Sequence, residues 1–413
     1  MRRTLVCLVI GLVGLVAHLN ATDSRIIALG RHDNFFMDDY SIFRNPANIS
    51  IYPNLLIGSG GYFAQEDDPE ELQNTANPAL KRVNRDPVSP YAGGIISYSF
   101  NQSTESGSQY PMFSIGAVFN RYDRFMDYLL QDTEEFAEAF REDSALILPT
   151  PVGKFDVLAG WALKNGSMFG VGAYLAFQKE SYGTLPKEIE SSLFRLNLGA
   201  NIPVAQAIDF EASLGVGGMN LIGVDTSGGT QQIKTLADIG ESDFILNADL
   251  RLFSALASIN GEFVPHFGLT YIDITQYDMF EAEFGLGATI NIDKGFGWAG
   301  LDIIYLQEDN DGIGGRISFG LERNLLWDWF LLRAGVSKKL MFVETADGDG
   351  KWIENAEADA SDDDFLGIGI GFNVENRLKI DCVIAEDVFY TFTNLISAPQ
   401  HHLLTRFSIS YSF

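Results

Sequence analysis

The sequence predicts an all-β fold: a transmembrane antiparallel up-and-down β-barrel of about 14–16 strands, with a short N-terminal plug. Three observations carry this expectation. Apolar and polar residues alternate over segments that recur along nearly the whole chain. The links between those segments are short and long in turn. The last segment alternates to its end and closes on Phe413.

Residues 1–21 read as a signal peptide. Arg2 and Arg3 precede an apolar run from Leu5 to Val16, and Ala21 is a small residue before the expected cut. The run is too short to span a bilayer, and no run of about 18 apolar residues follows it. Cys7 leaves with the leader and lies too far upstream of the cut for lipid attachment, so Cys382 remains alone. An exported chain without disulfides needs another source of rigidity, and a closed hydrogen-bond ladder supplies one.

Residues 22–49 show no strand alternation. Phe35, Phe36, Ile42 and Phe43 favour a plug buried in the barrel, since a solvated tail gains little from four large apolar side chains. A disordered periplasmic tail is the alternative.

Residues 50–413 carry the strands. Ala282, Phe284, Leu286, Ala288 and Ile290 alternate with Glu281, Glu283, Gly285, Gly287 and Thr289. Leu196, Leu198, Ala200 and Ile202 oppose Arg195, Asn197, Gly199 and Asn201. Ile317, Phe319 and Leu321 oppose Arg316, Ser318, Gly320 and Glu322. In a barrel wall one such face meets lipid and the other the lumen. A soluble sandwich also alternates, but the links favour a barrel. Long segments run near 64–90, 122–153, 221–242, 342–364 and 387–402, and turn-like links fall at 164–167, 293–297, 324–328 and 373–377. With both termini in the periplasm every long link is external and the strand count is even: about sixteen, or fourteen if two weak strands are not staves.

The C-terminal strand sets Phe407, Ile409, Tyr411 and Phe413 on one face and Arg406, Ser408, Ser410 and Ser412 on the other. This is the form of an insertion signal for the barrel-insertion machinery, and it places the chain in a bacterial outer membrane among its lipid and lipopolysaccharide. The composition agrees: 31 Phe, 15 Tyr and 41 Gly suit aromatic girdles and closely packed strands. The net charge is −27, or −29 without Arg2 and Arg3, which excludes nucleic acid as a partner. The acidic stretches 65–71 and 347–364 read as solvated loops.

A more specific pattern opens the chain: Ala28-Leu29-Gly30, then Asp38-Asp39-Tyr40-Ser41-Ile42-Phe43-Arg44-Asn45-Pro46-Ala47. It resembles the start of the FadL-like outer-membrane transport superfamily, whose opening is shared by carrier barrels of type IX secretion. The resemblance covers about twenty residues. It departs in having Arg31-His32-Asp33-Asn34 where the family has a glycine-rich run, and in the higher strand count read here. It implies a plug, about fourteen strands, and passive uptake of small, mainly hydrophobic molecules. Phe35, Phe36, Ile42, Phe43, Asn45 and Pro46 then become candidate plug or ligand-binding residues.

Pro265 lies in the apolar series Phe263, Phe267, Leu269, Tyr271. A proline cannot donate to the ladder, so a bulge or gap is expected there. A position at a strand edge or rim is the plainer reading; the resemblance implies a lateral opening. The segment Arg124–Arg141 reads as an external helix, either a lid or a surface helix. The Asp309–Gly312 and Asp347–Gly350 stretches lack the spacing of a calcium loop and read as acidic hairpin tips. Lumen-facing charges of both signs (Arg195, Arg251, Arg316, Arg333, Lys379 and Arg406 against Asp156, Glu211, Asp249, Glu281, Glu283, Glu322 and Asp381) read as internal ion pairs. His32, His266, His401 and His402 show no nucleophile–base spacing, so neither an enzyme, a cofactor nor a metal site is expected. Apolar uptake leads. A non-transporting secretion carrier or scaffold and a general aqueous porin are the alternatives.

Overall fold

The computed structural model describes residues 23–61, 90–100, 111–121, 146–147, 149, 151, 153–181, 188–225, 232–238, 240, 243–274, 277–307, 311–325, 327–344, 350–353, 365–375, 377–384 and 404–413. The expected leader, the segment 124–141, and the tips at 309–310 and 347–349 lie outside the described residues.

Alternation builds strands because successive side chains leave a strand on opposite faces, so each face can match one environment. Sixteen staves form: β1 Leu55–Gly61, β2 Tyr91–Ser99, β3 Met112–Phe119, β4 Gly153–Ala162 and β5 Met168–Ser181. Then follow β6 Glu188–Ala205, β7 Ile208–Asp225, β8 Phe244–Leu256, β9 Gly261–Ile274, β10 Tyr277–Ile292 and β11 Gly295–Gln307. The last five are β12 Asp311–Asn324, β13 Phe330–Glu344, β14 Phe365–Val374, β15 Leu378–Ile384 and β16 Leu404–Ser412. Each pairs antiparallel with the next. β16 pairs back onto β1, Leu55 opposite Ser412 and Gly61 opposite Arg406, so the sheet closes without an edge. The even count puts both ends of the barrel chain on the short-turn side.

Two expectations need correction. Residues 221–242 and 342–364 do not loop out directly. Gln232–Ala237 pairs back onto Leu221–Asp225, and Gly350–Ile353 onto Met341–Glu344, so these links begin as hairpins that prolong the wall. Ile222, Val224 and Ile233 supply the β-branched residues that favour this extension. The first stave starts at Leu55. Pro46–Ser50 form a 3-10 turn, with the Asn45 side chain capping Ala47 N and Pro46 at a position where its missing N–H leaves no bond unmade.

Burial is inverted relative to a protein folded in water. Leu56, Ile96, Ile115, Leu301, Ile303, Ile317 and Phe319 are each at least half exposed on the outer wall, while Asp156, Glu211, Asp302, Glu322 and Arg333 are buried on the inner one. A continuous apolar exterior around a polar interior is the arrangement of a barrel in hydrocarbon. At its short-turn end Trp327 stacks on Trp329 at 5.2 Å and 10°, and Trp329 on Phe372 at 6.0 Å and 17°, forming part of an aromatic girdle. Phe407, Ile409, Tyr411 and Phe413 all face outward into the same environment.

Candidate functional site

A sixteen-stranded barrel is wide enough to leave an aqueous lumen unless something fills it. Here residues 23–54 lie in the lumen. They comprise α1 (Asp23–Ala28), α2 (Ser41–Arg44) and the Pro46–Ser50 turn, which touches β4, β5 and β6. Inward glycines of the wall make room. A Cβ at Gly287 or Gly300 would overlap the Phe35 ring, one at Gly335 the Leu29 backbone, and one at Gly170 the Pro46 backbone. The glycines that alternate with apolar residues along these staves are therefore the seats of the segment.

The apolar residues of the segment are packed. Phe35 is fully buried, with ring centroids 6.0 Å from Trp298 and 6.4 Å from His266; Phe36 lies 5.5 Å from Trp298 and 5.8 Å from Phe296. Leu29, Phe253 and Val264 complete this cluster. Ile42, Phe43 and Ile49 join a second, with Tyr52, Leu55, Ile95, Val118 and Leu158. The Arg121 guanidinium stacks on the Phe43 ring at 4.4 Å and binds Asp156 through two hydrogen bonds of 2.8 and 2.9 Å. Asn45 donates to the Ala200 carbonyl of β6 at 3.0 Å, and Pro46 and Asn45 are both buried. The six candidate N-terminal residues thus meet the wall at two places. Phe35 and Phe43 are thus each packed within a buried cluster.

Between these clusters runs an ionic layer that joins segment to wall. Arg25 donates to Glu322 at 2.7 Å; Glu322 also takes Arg333, which reaches Asp381 at 2.6 Å. Arg251 binds Glu211 at 2.9 Å and donates to the carbonyls of Asp33 and Phe36 at 2.9 and 3.2 Å. Arg44 pairs with Asp33 at 2.6 Å, and Asn34 donates to Glu283 at 2.7 Å. Asp23 takes Ser59 at 2.9 Å and Arg406 at 3.3 Å. Of the lumen charges expected to pair, Arg251, Arg316, Arg333 and Arg406 do so with carboxylates, and the segment itself supplies several partners. Those partners were missed because residues 22–49 have no periodicity to mark which of them point at the wall.

Two carboxyls of the segment are unusual. Burial, followed by the nearby Asp33, raises Asp38 to about 7 despite Arg25, Arg251 and Arg44. Burial, then Asp38 and Asp381, raises Asp39 well above the usual carboxylate range, and neither Asp39 oxygen has a hydrogen-bond partner among the described residues. Docking thus favours the protonated form of both acids.

Above the ionic layer, toward the long links, the inner wall turns apolar. Ile189, Leu193, Met219, Leu221, Ile245, Ile272, Ile304 and Met341 are buried on the lumen side; Leu193 is opposite Met219 and Ile245 opposite Ile272 in the register.

Pro265 faces outward between Phe263 and Phe267. Pairing between β8 and β9 stops at Arg251–His266 and resumes at Ser254–Phe263, without a register shift. The expected gap is present and no bulge accompanies it, because a missing donor removes a bond without adding a residue. Behind the gap lie Phe253 and Val264, both in the Phe35 cluster.

Known proteins offer the following likenesses. The chain is similar to the solved P. putida toluene transporter TodX, with 11% identity over 96% of this chain and 99% of that one, at a TM-score of 0.40. It is similar to the Ralstonia pickettii toluene transporter TbuX at 10% over 95% and 97%, TM-score 0.30. With CdiB from Escherichia coli it shares 8% over 87% and 63%, TM-score 0.40. The two toluene transporters are of the FadL family that the N-terminal segment resembles. No family model matches the chain, and no curated protein does. The fold stands on the register described above.

Proposed function

We propose that this chain is a bacterial outer-membrane barrel for passive uptake of small, mainly hydrophobic molecules, closed at rest by residues 23–54. The supporting observation is the apolar inner wall on the long-link side, from Ile189 and Leu193 through Met219 and Ile245 to Ile304 and Met341. The lumen side of an aqueous barrel is polar, so this lining is misplaced in a porin. An apolar molecule entering from outside would meet it first, then the docked segment. Its exit would be axial once the segment moves, or lateral at the Pro265 interruption, where Phe253 and Val264 lie behind the wall.

The test is entry of an apolar fluorescent probe into liposomes carrying the full chain, beside Leu193→Asp and Met219→Asp. Faster entry than into empty liposomes, reduced in both variants, is expected. Entry equal to empty liposomes, with or without residues 23–52, would overturn the reading.

One observation favours a second reading, a sealed carrier or scaffold: the ionic layer ties the segment to the wall through buried pairs, and breaking one such pair costs about 3–5 kcal/mol. In that case neither sugars nor apolar probes cross in any form of the protein. Sugar-driven swelling by the intact chain would instead identify a porin.

A further inference from the structure

His266 on β9, Glu283 on β10 and Asp302 on β11 meet in the middle of the ionic layer, with one ligand atom from each within 4.8 Å of the others. Asp302 is fully buried and His266 is 3% exposed. His266 Nε2 is 3.0 Å from Asp249 Oδ2. A carboxylate only accepts, so Nε2 donates in this contact and Nδ1 is the ring nitrogen left to face Glu283. Among the described residues Nδ1 has no hydrogen-bond partner; it lies 3.7 Å from Glu283 Oε1, too far for a bond. Asp302 Oδ1, also buried, has no hydrogen-bond partner among the described residues either. An imidazole nitrogen and two carboxylates thus converge on one point.

We propose that this point binds a divalent transition-metal ion of the zinc class, held by His266 Nδ1, Asp302 Oδ1 and a carboxylate oxygen of Glu283. One imidazole and two carboxylates suit such an ion. The surroundings match those of a metal-bound histidine, whose second nitrogen donates to a carboxylate while the ligating carboxylates are themselves hydrogen-bonded. Here Asp249 takes the Nε2 proton. Arg316 holds Asp302 Oδ2 at 3.0 Å and also binds Glu283, and Asn34 donates to Glu283. Because Asn34 and Phe35 cover the site from the N-terminal segment, a bound ion there also fixes the segment against the wall.

The experiment is titration of the chelator-stripped full chain in detergent with Zn²⁺ by calorimetry, and with Co²⁺ by its visible spectrum. One ion per chain is expected. His266→Gln and Asp302→Asn should each lower affinity at least tenfold, Asp249→Asn about tenfold, and His402→Ala not at all. Heat-dependent gel mobility shows which variants keep the barrel. Absence of stoichiometric binding to a folded, stripped chain would overturn the proposal. Binding unchanged in His266→Gln would overturn it equally. Neither result bears on uptake, which the liposome experiment reads separately.

Discussion

Asp302 lies between Leu301 and Ile303, and His266 between Pro265 and Phe267. Parity alone sends both into the lumen, so the sequence could have marked them as inward groups. It could not bring them together, because that requires the register of three separate strands. Arg333 is a similar case: its inward direction is legible, but the company of Glu322 and Asp381 is not. Replacing it removes a cation from Asp381 and leaves Glu322 with Arg25. Arg333→Ala is expected to lose about 3–5 kcal/mol, measured as a lower urea midpoint in detergent or lipid. Gly300 illustrates the opposite sensitivity. A side chain there meets the Phe35 ring, so Gly300→Val should displace the segment. The expected result is higher single-channel conductance from a barrel that keeps its heat-dependent mobility.

The N-terminal segment is the element whose behaviour depends most on its surroundings. Its four large apolar side chains were legible as material for burial, and Asn45-Pro46 as a turn, but its path across the wall was not. That path follows glycines that in sequence are indistinguishable from other small residues of alternating strands. Its docking should depend on pH through Asp38 and Asp39. Docking raises the Asp38 carboxyl from its ordinary value of 3.8 to about 7, so the docked state holds a proton that the released state gives up. The resulting stabilisation is complete below the ordinary value and is lost as pH rises through 7; Asp39, raised by burial in the same way, adds to it. Hydrogen exchange of residues 23–54 should therefore accelerate between pH 5 and 8 beyond its intrinsic increase. Asp38→Asn and Asp39→Asn together should flatten that profile, and an unchanged profile in the double variant would sink this account.

The whole molecule is a closed wall around a filled lumen, and each part answers to a different solvent. Outside, hydrocarbon selects Leu, Ile, Val and Phe at every second position; inside, the docked segment selects glycine, carboxylates and arginines. Deleting residues 23–52 removes the filling but none of the inter-strand bonds. The truncated barrel should stay folded and conduct small sugars, as liposome swelling would show, whereas the full chain should not. A truncated barrel that remains tight would mean that segments outside residues 23–54 close the lumen. The alternation, the even strand count and the aromatic C-terminal strand were determined by sequence alone, because each is a local pattern answering to a uniform medium on one face. The closure of β16 on β1, the prolonged hairpins, the seat of Phe35 and the meeting of His266 with Glu283 and Asp302 were decided only in three dimensions. Register and lumen contacts join residues far apart in the chain, and no local period encodes which of them become neighbours.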